Sequence, residues 1–267
     1  MKKILFAMPV LSVLLLGCHK AEIPNANDYI DEYGINHGPG VEIDGVVWAP
    51  VNCGYHKDDF KYGKLYQWGR KYGQGYVGDI YDVNGIKSGE YSDAVKPILH
   101  PGPVSVSEGQ SGSNSDKYYK VGYNADQNIV YTDWCTNPND QLWNSGSESY
   151  PIKTEYDPCP AGWRVPTAAE LYGLINYSSL TADANGQSGY WLSGTSSNSP
   201  QVFFPAAGDI FVDGDGEGRG FEGIYWSSGT NCSLDGYAQL MCISETSGIL
   251  YGESMRAAGY SVRCVKE

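Results

Sequence analysis

The sequence predicts an α+β protein with short antiparallel strands, few helices and long ordered loops. Three observations carry this. Glycine (34) and tyrosine (22) are abundant among 267 residues and only 18% are charged, so turn and strand residues outweigh strong helix formers. Apolar residues come in short runs parted by Gly, Ser, Asn and Asp, which is the pattern of brief strands. A single segment carries a complete helix start.

The first element is a leader. Met1-Lys2-Lys3 precedes an apolar run from Ile4 to Leu16, then Gly17 and Cys18. Two lysines, an apolar core, a small residue and a cysteine form the layout of a bacterial lipoprotein signal over residues 1–17. The lysines stay cytoplasmic, the apolar run enters the translocon, Gly17 admits the peptidase, and the Cys18 thiol takes the lipid. An ordinary secretory leader with an incidental cysteine is the alternative. A transmembrane anchor needs ~20 apolar residues, more than this run supplies. The expected link to the membrane is therefore the N-terminal lipid. His19 after the lipidated cysteine points to the outer membrane rather than inner-membrane retention.

Residues 18–40, polar and proline-containing, read as a tether, with Tyr29–Gly34 able to lie on the domain. A single domain spans 41–267. Val41–Pro50 alternates, breaks at Asp44-Gly45 and resumes, which predicts a β-hairpin. Residues 77–156 look irregular: His100-Pro101-Gly102-Pro103 and the Ser/Gly-rich Ser105–Ser115 mark a long insertion, and Trp134 and Trp143 within it suggest that part of it packs. Thr167-Ala168-Ala169-Glu170 is a capping box, and Leu171, Leu174 and Ile175 follow at helical spacing. From Tyr190 onward the runs read as strands, among them Tyr190–Ser193, Val202–Pro205, Ile224–Ser228 and Tyr237–Ile243.

Charge and cysteines bound the function. A formal charge of −13, more negative once Lys2 and Lys3 leave with the leader, argues against nucleic acid as a partner and against a basic membrane-binding patch. Besides Cys18 there are six cysteines, Cys53, Cys135, Cys159, Cys232, Cys242 and Cys264, an even number suited to disulfides in an exported chain. Pairing is not deducible from spacing alone. No CxxC occurs and the four histidines are scattered, which makes zinc a weak rival.

Several blocks then add up. Tyr62-Gly63-Lys64-Leu65-Tyr66-Gln67-Trp68, Cys159-Pro160-Ala161-Gly162-Trp163-Arg164-Val165-Pro166-Thr167, Phe204–Gly208, Tyr225–Thr230 and Gly259–Val265 occur in an order that resembles the Fibrobacter succinogenes major paralogous domain of exported gut and rumen proteins. The likeness runs from about Val41 to Glu267 and leaves the insertion unaccounted for. It implies a C-type-lectin-like fold, related in shape to the formylglycine-generating, sulfatase-modifying enzymes. It also implies a staple between Cys159 and Cys264, with Cys232–Cys242 and Cys53–Cys135 as the looser pairings.

Candidate chemistry is sparse. Asp213, Asp215 and Glu217 alternate with glycines, as in a turn that wraps Ca²⁺, although the twelfth place of an EF-hand loop is Ile224. Calcium is the one candidate cofactor; a solvated Gly-Asp turn is the alternative. The Glu-Pro-Asn and Trp-Asn-Asp motifs of calcium-dependent lectins are missing. Trp134 and Trp143 are candidates for stacking on sugars, against the alternative that they fill the core. No Gly-x-Ser-x-Gly, HExxH or P-loop is present, so no catalytic residue is expected. The expectation is a non-enzymatic, lipid-anchored envelope protein that binds a glycan or a surface or fimbrial partner. The alternatives are a carbohydrate-active or modifying enzyme and a purely structural envelope component.

Overall fold

The structure is a computed structural model describing residues 25–126, 128–183 and 186–267. The leader 1–17, Cys18 and the start of the tether lie outside the described residues. The α+β expectation is corrected: the protein is predominantly β, with two short α-helices among the described residues, Val106–Gly109 and Ala168–Tyr172, amid many short strands. The physical reason is visible at the second helix. Thr167 and Glu170 cap it as expected, each side chain bonding the other's backbone N–H. Leu171 and Leu174 are buried, but Ile175 is half exposed because the helix has already ended. Ile175 N donates to Ser193 O, and Asn176–Tyr177 joins a sheet against Ser188–Ser193. Sheet pairing takes over from helical periodicity after little more than one turn. Alanine at Thr167 is expected to cost about 1 kcal/mol, with serine restoring it, as read from urea denaturation midpoints.

Nine strands form the largest sheet. Its order is Gly248–Met255, Tyr237–Ser244, Glu222–Trp226, Gly259–Ser261, Asp209–Ile210, Gly216–Arg219, Val77–Tyr81 and Lys87–Ser92, with Leu65–Gln67 also paired to Gly259–Ser261. The supposed insertion thus supplies two of its strands. Gly78 and Gly216 make that parallel join possible, since a Cβ on Gly78 would lie 1.9 Å from Gly216 O.

A four-stranded sheet gathers distant parts of the chain: Trp163–Arg164, Val265–Lys266, Val46–Trp48 and Val41–Ile43. The 41–48 hairpin turns at Asp44 (φ 49°) and Gly45 (φ 85°), the two positive-φ positions that such a turn demands. Residues 25–40 are packed rather than trailing. Strands Asp28–Ile30 and Asn36–Pro39 pair, and Tyr29 is buried edge-on to Trp163 at 5.2 Å. Asp31 organises the intervening turn, accepting from Tyr33 N and Ile35 N and facing His37 Nε2 at 2.7 Å.

Tryptophans hold the main core. Trp68 Nε1 donates to Ser227 O, Trp134 Nε1 to Trp68 O, and Trp226 Nε1 to Tyr66 O, so each ring is buried with its polar atom satisfied. A second core, around Trp48, Phe204 and Tyr225, packs beneath the helix Ala168–Tyr172.

Candidate functional site

The structure joins Cys159 to Cys264, closing 105 residues of sequence. Asp157 shapes the first half of the staple, its carboxylate accepting from Cys159 N and Val165 N. The other four described cysteines are free thiols. Cys232 and Cys242 are not joined. Ser233 is held by Glu253, which stands opposite Gln239, whereas Cys242 stands opposite Ile224 and Leu250. Three residues along a strand is about 10 Å and the opposite face. Nor are Cys53 and Cys135. Cys135 donates to Asn137 O, while Cys53 donates to Pro158 O and accepts from the Tyr66 hydroxyl.

Cys53 instead lies beside the staple: the Sγ atoms of Cys53, Cys159 and Cys264 are all within 4.8 Å of one another. This is the one group of three metal-type donors found so close among the described residues, and the S–S bond uses two of them. Burial pushes the Cys53 thiol up to about 12, so it stays protonated and unreactive at neutral pH.

The calcium candidates do not converge. Asp213, Asp215 and Glu217 are exposed along the turn between Asp209–Ile210 and Gly216–Arg219, and among the described residues no three of their oxygens group within 4.8 Å. Asp213 Oδ1 accepts from Asp215 N, which serves the turn. Glu217 stands opposite Asp209 in the strand register. Asp209 is buried, its Oδ1 has no hydrogen-bond partner, and desolvation together with Glu222 and Glu217 pushes its carboxyl up to about 8.

Trp134 and Trp143 do not face solvent. They are 0% and 1% exposed, Trp134 pressed on Gly109 and Trp143 donating to Arg70 O. The tryptophan offered to solvent is Trp191, 38% exposed. In the strand Ser188–Ser193, Tyr190 and Leu192 point into the core, which turns Trp191 outward by simple alternation. That signal was present in Tyr190-Trp191-Leu192.

Trp191 borders a cleft of about 230 Å³. Its ring contacts Phe203 on the neighbouring strand at 5.2 Å, and Tyr55 and Tyr62 add aromatic wall. Polar groups punctuate the wall. Gln187 Nε2 donates to Lys61 O, tying the 181–188 hairpin to the loop that carries Tyr62. Asp183 accepts from Gln187 N within its own turn. At the floor, Arg263 donates from Nε to Asn52 Oδ1, from one terminal nitrogen to Ala49 O and from the other to Phe203 O. Burial lowers its guanidinium to about 10, which leaves it charged at neutral pH. A larger groove of about 510 Å³ lies among Asp79, Glu90, Asp215 and Glu217, but it is open and polar, and Lys87 already bridges Asp79 and Glu90. An apolar wall with a few fixed polar groups is the arrangement that orients a small ligand.

Compared with known proteins, the chain matches no family model, no curated protein and no solved structure. No helix among the described residues is long and apolar enough to cross a membrane.

Proposed function

We propose that this is a lipid-anchored, non-enzymatic envelope protein that recognises saccharide through the Trp191 cleft. The lipoprotein leader ending at Cys18 supports the anchor, and the Cys-Pro-x-Gly-Trp-x-Val-Pro block supports kinship with the paralogous family it resembles. The observation that carries the recognition reading is the outward Trp191 beside Tyr55 and Tyr62, above polar groups already fixed by the fold. A sugar ring has an apolar face that an aromatic ring covers, and hydroxyls that such groups bond. The cleft needs no metal for this, so binding is expected to survive EDTA.

The test is a glycan and mucin array with the processed, oxidised protein, read with and without EDTA. Selective binding is expected, weakened about tenfold or more by Trp191→Ala. Trp191 is partly exposed and its neighbours carry the core, so the variant should keep its unfolding midpoint. A blank array, or full binding by the alanine variant, would reject the reading and shift weight to a protein partner.

A further inference from the structure

Resting on the saccharide reading above, we infer that the cleft is built for an acidic sugar, a uronic or sialic acid residue. Its ring would lie on Trp191 and its carboxylate would be drawn to Lys61 and Arg263. The argument starts from the buried arginines. Arg219 pairs with Asp93, and Arg256 with Asp133 and Asp140, while the partly buried Arg164 pairs with Glu170. Arg263 is 1% exposed and, among the described residues, has no carboxylate partner. Its three acceptors are neutral, and its flat face lies 4.8 Å from the Phe204 ring. Hydrogen bonds to neutral oxygens satisfy its geometry and leave its charge uncompensated. A buried charge without a counter-charge is costly, and an anion arriving beside it would offset that cost.

Position separates Arg263 from the other such case. Arg70 also lacks a carboxylate, but it donates to Gly109 O, Lys117 O and Asn114 O and lies against the Tyr119 and Trp134 rings, inside the core. Arg263 lines the cleft, so its field emerges there, in a place walled by apolar rings where screening is weak. Lys61 stands exposed at the same cleft and, among the described residues, forms no close ion pair, with Asp58 the carboxylate that feels its charge. Asp183 is the one carboxylate of the lining and serves its own turn through Gln187 N. Two cations thus face one anion, in a chain whose overall charge is −13. The aromatic wall selects a ring and the excess cation selects an acid, and an acidic sugar offers both.

Galacturonate and galactose share their ring and differ at the exocyclic carbon, carboxylate against hydroxymethyl. In calorimetric titration of the processed protein, galacturonate should bind about tenfold tighter than galactose. Lys61→Gln should bring the two affinities together, removing the preference for galacturonate over galactose. Arg263 is left intact in the test, because its guanidinium also holds Asn52, Ala49 and Phe203. Equal or tighter binding of galactose, or a preference that survives Lys61→Gln, overturns the charge inference and leaves saccharide recognition standing. Failure of both sugars to bind, with a blank array, overturns both.

Discussion

Serine at both Cys159 and Cys264 is expected to cost about 4–5 kcal/mol of stability, the value for closing a loop of this length in the chain-entropy model. The bond closes 105 residues and ties the Asp157-held turn to the last strand. Both ends enter the four-stranded sheet in which Trp163–Arg164 pairs with Val265–Lys266, and Val265 pairs with Trp48. Releasing it frees the junction on which Tyr29 and the 25–40 hairpin also rest. Urea midpoints of the oxidised protein and the double-serine variant would show the loss. A drop below about 1 kcal/mol would mean that strand pairing alone holds the sheet.

The second large effect is on pH dependence. Asp209 has a carboxyl pushed from 3.8 to about 8 by burial and by Glu222 and Glu217. Between those values the folded chain keeps a proton that the unfolded chain has released. Stability from this group is therefore present below about pH 4 and falls as pH rises, by about 1.4 kcal/mol per pH unit, until about pH 8. Asp133 and Asp157, each pushed to about 6 by burial, act in the same direction over the lower part of that range. Glu222 is also raised. The protein should accordingly be more stable near pH 4.5 than near pH 8, a range read from the shifts of these carboxyls.

Asp209→Asn should flatten the slope between about pH 6 and 8 and raise stability at pH 8, since an amide fits the site without ionising. The buried, unpartnered Oδ1 explains why ionisation there is unfavourable. Urea midpoints at three pH values would decide it. Parallel curves for the two proteins would mean that Asp209 ionises freely in the folded state.

Local chemistry was legible in the sequence. Asp44-Gly45 specified a tight hairpin and Thr167 with Glu170 specified a capped helix start, because each depends on neighbours a few residues away. The α+β class was misjudged for the same reason. The capping box announces a helix but not its length, and the length was decided when Asn176–Tyr177 found Ser188–Ser193. The 77–156 stretch looked irregular because the pairing partner of Val77–Tyr81 on one side is Gly216–Arg219, far along the chain.

The candidate site divides in the same way. The strand Tyr190–Ser193 was legible in the sequence, but Trp191 was not among the candidates, because alternation sets it apart from Tyr190 and Leu192 without saying which face is outward. The sequence could not tell that Trp134 and Trp143 are core, since burial depends on what packs above them: Gly109, Tyr119 and Trp68. Nor could it set Lys61, Asp183, Trp191 and Arg263 around one cleft, or bring Cys53 to the Cys159–Cys264 staple. Turns, caps and alternation are short-range properties of the backbone and are written in adjacent residues. Clefts, burial and uncompensated charge arise from contacts between distant segments, and only the tertiary structure decides those.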